Sequence, residues 1–344
     1  MLSTLSPLYA LSTDVSLEDR FAGALIGQCV GDALGFVVEG CTAQLCTRFV
    51  DAELRRGKAG LRGRPPYAFG QYTDDSQLTR ALLESMVAAG GFDPEDYAAR
   101  IAALFAEDRI VGRGRTTEEA GRRLIAGTPW HEAGTPAPAA GNGSAMRAAP
   151  VGLVYRDDME RLAAVAHDQG RITHADPRCS AGAVAIAAAV ALATVGETPD
   201  AVRWTPVLAD LAGRHDAAFG EAIAALADIV DLPPEDAVTL ISRLGWEPET
   251  QVAFDGISPF VVPSVLWSLY SVFRNPESYW ETICTAIAAG GDVDTTAAMA
   301  GAISGAHLGI DAVPADLASK LADNGTWKLA DLAELARKAQ RVSV

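Results

Sequence analysis

The sequence predicts an almost entirely α-helical fold, and three observations support that prediction. Apolar residues recur at three- and four-residue intervals, the period of an α-helix, in one segment after another. No segment shows the alternating pattern of a half-buried strand. Hydrophobic residues make up 49% of the chain and aromatic residues only 7%, so the interior must be built from closely packed aliphatic side chains, which suits helices.

The predicted helices can be followed along the chain. The clearest helical periods occur, in order, in SLEDRFAGALIGQCVGDALG, DSQLTRALLESMVAAG, PEDYAARIAALFAEDR and MERLAAVAHDQGR. Side chains that favour helix starts precede apolar periodic segments at Ser16, Asp75, Asp93, Asp157 and Asp316. The longest apolar stretch, from Ala181 to Val195, is short and rich in alanine for a membrane span, and we interpret it as a buried helix.

Two irregular segments separate these helices, residues 57–72 and 126–143, and both are crowded with glycine and proline. Loops of this length inside a compact domain are often functional. The chain of 344 residues is longer than most single domains. Because no segment resembles a linker, we predict a single domain over residues 1–344.

Charge and cysteine content limit the function classes. The net charge of −16 and the pI near 4.7 argue against nucleic acid or an anionic membrane as the main partner, because both would be repelled. The first 20 residues lack the pattern of a secretory signal, so we expect a cytoplasmic protein. Five cysteines without C-x-x-C spacing predict reduced, mostly buried thiols.

A cluster of oxygen-bearing side chains, Thr73, Asp74 and Asp75, opens the helix that continues SQLTRALLESM. Capping is one explanation, because such side chains accept hydrogen bonds from the free N–H groups of a helix start. Asp74 and Gln77 also have the spacing of a capping box. Taken alone, this cluster indicates no more than capping.

A second cluster in the segment GGDVDTT repeats the arrangement, with Asp292, Asp294, Thr295 and Thr296. Capping one helix requires one side chain, yet each cluster offers at least three oxygen-bearing side chains. The excess carboxylate needs a counter-charge, and oxygen donors without His or Cys indicate a hard cation such as Mg²⁺. If the two clusters converge, they predict two ions about 3.5–4 Å apart that orient substrate oxygens and lower the pKa of a bound water. This is the chemistry of a hydrolase.

Glycines at four-residue spacing lie on one side of the first predicted helix: Gly23, Gly27, Gly31 and Gly35. Each costs roughly 1 kcal/mol relative to alanine in a helix interior, so the stripe requires a compensating gain. Close helix packing and close approach of a ligand both supply one, and packing is the commoner cause. The same spacing recurs after the second acidic cluster, at Gly301, Gly305 and Gly309. Packing of these helices beneath the metal site would satisfy both interpretations.

Several further polar residues stand out from their surroundings. Asp32 lies within the first glycine stripe and Glu39 follows it, for which capping and an exposed chain end are the ordinary explanation. Glycine-flanked backbone N–H groups in residues 112–119 and 141–150 are suited to bind a phosphate, although a solvated loop also explains the first segment. His174 precedes the alanine-rich helix, and a lone His is more often structural than catalytic.

Together these segments resemble the ADP-ribosylglycohydrolase family, which includes the dinitrogenase reductase-activating glycohydrolases and the serine-directed ADP-ribosylhydrolases. The matching motifs appear in the family's order over residues 21–310: GALIGQCVGDALGFVVEG, YTDDSQLTRALLESM, GNGSAMRAAPVGL, RITHADPRCSAGAVAIAAAV and AIAAGGDVDTTAAMAGAISGAHLG. The resemblance implies a compact single-domain orthogonal bundle of helices with a metal-containing cleft. It also implies two Mg²⁺ ions as cofactors, with Mn²⁺ as a substitute.

The resemblance also assigns roles to individual residues. The family's metal ligands fall on Thr73, Asp74, Asp75, Asp292, Asp294 and Thr295. The acidic residue of the family's mobile flap falls on Glu39. The ADP-ribose-binding loops fall on Gly112, Gly114, Gly141, Asn142, Gly143, Ser144 and His174. The chain departs from the family at Val293, where Thr is usual, and we expect altered hydrogen bonding around the ligands but no lost metal.

The predicted function is Mg²⁺-dependent hydrolysis of the C1″ bond of ADP-ribose attached to a protein side chain or a small acceptor. Asp75 or Asp294 would orient or deprotonate the attacking water, and Glu39 would gate the cleft. Two alternatives stay open, a catalytically inactive ADP-ribose-binding regulatory protein and a two-metal phosphohydrolase. Arginine-linked, serine-linked, polymeric and O-acetylated ADP-ribose are all compatible with the sequence, because selectivity depends on loop shape.

Overall fold

The computed structural model describes residues 15–56, 61–245 and 255–342. Within these ranges the chain forms helices and no β-strand beyond isolated bridges, which confirms the predicted all-α class. The α-helices, numbered in chain order, are α1 Leu17–Phe36, α2 Ala43–Phe49, α3 Asp74–Ala89, α4 Pro94–Ala106, α5 Arg115–Ile125, α6 Ala149–Val154, α7 Met159–Arg171, α8 Pro177–Thr194, α9 Ala201–Gly213, α10 Ala217–Ala224, α11 Leu226–Ile229, α12 Pro234–Ile241, α13 Val261–Arg274, α14 Tyr279–Ala288, α15 Val293–Leu308, α16 Ala315–Ala318 and α17 Leu329–Gln340. A π-helical turn at Val50–Leu54 and 3₁₀ turns at Asn142–Ser144 and Ile310–Ala312 complete the helical structure.

Helix starts agree with the capping pattern at some positions and differ at others. Ser16 and Asp93 cap α1 and α4 through their side-chain oxygens, as predicted. The predicted start at Asp157 is wrong by one residue, because the neighbouring Asp158 accepts the backbone N–H of Arg161 and caps α7. Where two capping-type residues adjoin, composition alone does not distinguish them.

Two further predicted starts are also displaced. Asp75 lies inside the first turn of α3, whose N-cap is Thr73. Asp316 lies inside α16, which follows Pro314. Both aspartates still lie in a first turn, where the helix dipole favours negative charge.

Antiparallel packing of α1 against α15 brings the two glycine stripes into contact. A Cβ atom built on Gly23 would lie 2.2 Å from the carbonyl oxygen of Gly305, and one on Gly27 would lie 2.7 Å from that of Gly301. Real Cβ atoms do not approach backbone this closely. The stripes therefore allow two backbones to touch, and the packing interpretation of the sequence is confirmed.

Helix α8 lies at the centre of the protein and contains the alanine-rich stretch. It is long and apolar enough to cross a membrane by length and composition, but 89% of that window is buried inside the protein. Small side chains let α6, α7, α9, α13 and α15 approach it closely. The predicted buried helix is confirmed.

The cysteine prediction is also confirmed within the described residues. All five thiols are free, and four of them are buried: Cys29, Cys46, Cys179 and Cys284. Burial raises the pKa of the Cys29, Cys46 and Cys179 thiols, which keeps them protonated and unreactive.

Candidate active site

A cleft of about 440 Å³ lies where the N-termini of α3 and α15 meet the C-terminal end of α1. Its walls come from the two acidic clusters and from the loops before α5, α6 and α13. The residues lining it are Glu39, Asp74, Asp75, 112–117, 138–143, Met146, His174, Pro259, Phe260, Asp292, Asp294 and Thr295. Most of the residues that the sequence singled out thus lie around one cavity.

The two acidic clusters are in direct contact although they are 220 residues apart in the chain. The hydroxyl of Thr295 lies 3.4 Å from Asp75 Oδ2 and 3.3 Å from Asp292 Oδ1. Single carboxylate oxygens of Glu39, Asp292 and Asp294 lie within 4.8 Å of one another. The helix starts therefore converge as the sequence analysis required.

Four buried carboxyl groups crowd the cleft, and both burial and mutual repulsion oppose their ionisation. Asp74, Asp75, Asp292 and Asp294 are each at most 8% exposed. Burial, followed by repulsion from neighbouring carboxylates, raises the pKa of Asp74, Asp75 and Asp294 well above the ordinary value. Burial also raises the pKa of Asp292, to about 6, against a hydrogen bond from Asn142. Among the described residues, no Lys or Arg forms an ion pair with these four carboxylates.

Two carboxylate oxygens in the cleft have no hydrogen-bond partner within the described ranges. These are Asp75 Oδ1 and Asp294 Oδ1, one from each cluster, and both are buried. Buried polar atoms are otherwise almost always bonded. Unpaired oxygens of hard-ligand type, surrounded by further carboxyl groups and by no ion-paired Lys or Arg among the described residues, fit a divalent cation between α3 and α15.

Asp32 stands out in the sequence, with capping as its ordinary explanation, but neither the residue pattern nor the family resemblance assigns it to the site. It is fully buried on α1, and its carboxylate accepts the backbone N–H groups of Thr73 at 3.0 Å and Ser76 at 3.1 Å. Asp32 therefore caps α3 from another helix and fixes the first acidic cluster in place. Burial raises its pKa to about 7, although these hydrogen bonds favour the charged form. The available signal was a carboxylate among apolar and glycine residues.

Glu39 follows α1 and is half-buried at the mouth of the cleft. Its Oε2 accepts a hydrogen bond from Arg64 Nη1 at 2.6 Å, and Arg64 also reaches the carbonyl oxygen of Phe36 at 3.3 Å. The next residue, Gly40, donates its N–H to the carbonyl of Gly291. Glu39 is thus held between the loop before α3 and the start of α15, and it is not a fully exposed chain end.

Asn142 connects the glycine-rich loop to the second acidic cluster. Its Nδ2 donates to Asp292 Oδ2 at 2.5 Å and to Ser264 Oγ at 2.9 Å, and its backbone N–H donates to the carbonyl of Pro259. The amide therefore orients a carboxylate, while the backbone of the adjacent glycines faces the cleft. This positions the loop and the acidic cluster as one unit.

Gln77 holds the loop that carries Gly112 and Gly114. Its Oε1 accepts the N–H of Val111 at 2.9 Å, and its Nε2 donates to the carbonyl of Arg109 at 2.9 Å and to Asp323 Oδ1 at 2.7 Å. The capping-box interpretation of Gln77 is therefore wrong, because its side chain turns away from the helix start toward this loop. Gly112 has a φ of +73°, which favours glycine.

Comparison with a family profile identifies the family of the chain. The profile of the ADP-ribosylglycohydrolase family matches residues 13–343. The chain belongs to the ADP-ribosylglycohydrolase family. This confirms the family resemblance and the predicted class of enzyme.

Individual members of the family give the same result. ADP-ribosylhydrolase ARH3 of Mus musculus is 28% identical over 330 residues, covering 86% of this chain and 85% of the relative. ADP-ribosyl-dinitrogen reductase glycohydrolase of Rhodospirillum rubrum is 28% identical over 317 residues, covering 90% and 92%. A solved ADP-ribosylglycohydrolase-related protein complex superimposes with a TM-score of 0.69 at 25% identity, covering 95% of this chain and 99% of that chain.

Two residues assigned from the ADP-ribosylglycohydrolase family lie behind the cleft wall. Ser144 is fully buried, and its hydroxyl donates to the carbonyl of Cys179 at 2.8 Å. Thr73 is also fully buried, with its hydroxyl 3.0 Å from both Asp32 Oδ1 and Asp75 Oδ2. In this ADP-ribosylglycohydrolase, Ser144 supports the wall of the cleft, and the hydroxyl of Thr73 lies beside Asp75 in the first acidic cluster.

Proposed function

We propose that this protein is a divalent-cation-dependent hydrolase that cleaves the C1″ glycosidic bond between ADP-ribose and a protein side chain or a small acceptor. The observation that carries the proposal is the convergence of Asp75 and Asp294 in one buried cleft, each with an unpaired oxygen. Such an arrangement is unfavourable without a cation, because several buried carboxylates repel one another. A cation bound between these carboxylates would offset their repulsion, which favours a metal site.

The expected cofactor is a pair of Mg²⁺ ions, with Mn²⁺ as a substitute. The residues that would hold them are Thr73, Asp74, Asp75, Asp292, Asp294 and Thr295. When bound, such ions polarise the ribose oxygens and stabilise negative charge that develops beside the scissile bond. The side chains of the cleft contribute the remaining steps.

Asp75 and Asp294 are the candidates to orient the attacking water and accept its proton. Each carries a buried oxygen without a hydrogen-bond partner among the described residues, and that oxygen is available to accept a hydrogen bond from a water molecule in the cleft. Cleavage of a glycosidic bond passes through an oxocarbenium-like centre at C1″, which nearby negative charge stabilises. Glu39, at the cleft mouth, would move to admit the substrate, for which the bond to Arg64 must open.

The loops beside the two acidic clusters suit the diphosphate of ADP-ribose. Gly112 and Gly114 place backbone beside Arg113 and Arg115, and residues 141–143 line the same cavity. The first loop adjoins Asp74 through the N–H of Gly114, and the second adjoins Asp292 through Asn142. Backbone N–H groups together with guanidinium groups form a favourable site for phosphate oxygens. The guanidinium groups also offset the negative charge of the acidic clusters.

The relatives support the kind of substrate. One is named for removing ADP-ribose from dinitrogen reductase, and another is named an ADP-ribosylhydrolase. An ADP-ribosylated protein or a small ADP-ribose conjugate is therefore the proposed partner.

Product analysis tests this function. The protein would be incubated with arginine-linked, serine-linked, polymeric and O-acetylated ADP-ribose, each with Mg²⁺ or with a chelator. We expect free ADP-ribose with Mg²⁺ and none with the chelator. Asp294→Asn should abolish release while circular dichroism is unchanged, and the exposed Asp311→Asn should retain activity. Tight ADP-ribose binding without turnover would instead indicate a regulatory protein, and AMP would indicate a phosphohydrolase.

A further inference from the structure

A buried chain of hydrogen bonds runs from Arg147 through Thr173 to His174 at the wall of the cleft. Arg147 Nη2 lies 2.8 Å from Thr173 Oγ1, and this hydroxyl oxygen lies 2.8 Å from His174 Nδ1. Arg147 and Thr173 are fully buried, and His174 is 2% exposed. Water therefore does not compete for these hydrogen bonds.

The chemistry of the three groups sets the direction of this chain. A guanidinium group only donates hydrogen bonds, so Thr173 Oγ1 accepts from Arg147. The single hydrogen of the hydroxyl then needs an acceptor, and within the described part of the chain His174 Nδ1 is its one other polar neighbour. Nδ1 must therefore be unprotonated. A proton on Nδ1 would leave the hydroxyl hydrogen buried without an acceptor, which is unfavourable.

The imidazole of His174 is neutral in this environment. Burial, followed by the positive charge of Arg147, lowers its pKa to about 3. A neutral imidazole carries one proton. Because Nδ1 accepts from Thr173, that proton is on Nε2.

His174 Nε2 faces the cleft beside the glycine-rich loop. A Cβ atom on Gly141 would lie 3.4 Å from Nε2, and one on Gly143 would lie 3.0 Å from it. Among the hydrogen bonds within residues 15–56, 61–245 and 255–342, His174 takes part through Nδ1 and its backbone N–H and not through Nε2. The glycines leave room for a ligand atom to approach an N–H donor.

Arg147 is itself held rigidly and has no ion pair among the described side chains. Its Nε donates to Gln169 Oε1 and its Nη2 to the carbonyl of Gln169, both at 2.9 Å, and its guanidinium lies over the ring of Tyr97. Gln169 in turn donates to the carbonyl of Ser144 at 2.9 Å. The guanidinium therefore keeps its orientation toward Thr173.

We propose that Arg147 and Thr173 are positioning residues that hold His174 as the neutral Nε2–H tautomer, with its N–H directed into the cleft. His174 then donates a hydrogen bond to an acceptor oxygen of the ligand and takes no part in proton transfer. That the ligand is ADP-ribose rests on the proposed function, but the tautomer itself does not depend on it. In this proposal Thr173 acts only through His174 and does not itself contact the substrate.

Nuclear magnetic resonance on the ligand-free protein tests the tautomer directly. Long-range ¹H–¹⁵N correlations of the histidine-labelled protein show which ring nitrogen carries the proton, and His174→Gln identifies the signal among the five histidines. We expect only the Nε2–H form in the wild type and in Thr173→Ser. In Thr173→Val, which removes the hydroxyl at similar volume, the Nδ1–H form should become detectable.

Kinetics and binding supply a second readout. The KM for the ADP-ribosylated substrate and the Kd for ADP-ribose should rise about fivefold in Thr173→Val, with kcat within about twofold of wild type. Thr173→Ser should restore both values. Thr194→Val is a matched control, because Thr194 is buried on α8 with its hydroxyl bonded to the carbonyl of Val190. Thr194→Val should change neither the tautomer nor KM.

An Nδ1–H form or a mixture in the wild type would overturn the proposal, and so would an unchanged tautomer in Thr173→Val. The wild-type measurement needs no variant, so it decides the tautomer even if a substituted protein fails to fold. Failure of the proposed function would look different. The wild type would then show pure Nε2–H but bind no ADP-ribose, leaving the assigned tautomer in place and removing only the identity of the ligand.

Discussion

Replacing Gly35 by alanine would push α1 away from the start of α15. A Cβ atom at this position would lie 2.4 Å from Asp294 Cα, 2.5 Å from Asp294 N and 2.5 Å from the carbonyl oxygen of Val293. Because all three are backbone atoms, no side-chain rotation relieves the overlap. Ordinary contact begins at 3.4 Å, so the two backbones must separate by 3.4 − 2.4 = 1.0 Å.

The magnitude follows from two opposing terms. Alanine gains about 1 kcal/mol over glycine in helix propensity. Overpacking costs about 1–3 kcal/mol, and a clash between two backbones belongs at the upper end of that range. We therefore expect Gly35→Ala to lose about 1–2 kcal/mol of unfolding free energy. A displacement of about 1 Å in a catalytic group can cost about 100-fold in rate, so kcat/KM should fall by that order.

Urea denaturation and hydrolysis assays measure the two effects, and two other glycines serve as controls. Gly27→Ala also clashes with α15, 2.7 Å from the carbonyl of Gly301, but away from the acidic cluster. It should lose stability while each folded molecule stays active. Gly213→Ala, at the end of α9, would meet nothing closer than 3.7 Å and should change neither property for the worse. A Gly35→Ala protein as stable and as active as wild type would refute the close contact of α1 with the start of α15.

Two further predictions concern charge. The raised pKa values of Asp32, about 7, and Asp292, about 6, mean that the folded protein binds their protons more tightly than the unfolded chain. With a chelator present, the free energy of unfolding should therefore fall as the pH rises from about 4 to 7. Addition of Mg²⁺ at pH 7.5 should restore it. Urea midpoints that depend neither on pH nor on Mg²⁺ would contradict the close approach of these carboxyl groups. Asp323→Ala should lower the free energy of unfolding by about 3 kcal/mol, because Asp323 forms a 2.8 Å ion pair with Arg80, whose side chain is 2% exposed. A loss near zero would show that this ion pair does not stabilise the segment that carries Asp323.

The parts of the fold that could be predicted from sequence are those with a local cause. Helical period and helix-favouring composition act within each segment, so the all-α class follows from them. The four-residue spacing of the glycines in each stripe, with Gly23 in the first and Gly305 in the second, indicated close packing because glycine in a helix interior needs a compensating contact. The two acidic clusters, at Asp75 and Asp294, pointed to a shared site because each holds more carboxylate than the capping of one helix requires.

The parts that could not be predicted depend on partners far away in the chain. Gln77 has the spacing of a capping box, but its actual partners, in the loop before α5 and in Asp323, lie on other segments. Asp32 caps α3 from α1, and no local pattern identifies the helix that a buried carboxylate will serve. The roles of Arg147 and Thr173 likewise appear only once the fold brings them to His174.

Anomalous scattering from a crystal soaked in Mn²⁺ tests the central claim most directly. We predict strong peaks between the starts of α3 and α15, about 2.1 Å from carboxylate oxygens of Asp75 and Asp294. Asp294→Asn crystals soaked in the same way should show weaker peaks or none. Wild-type crystals without a peak in this cleft, or with those two carboxylates on separate surfaces, would contradict the account.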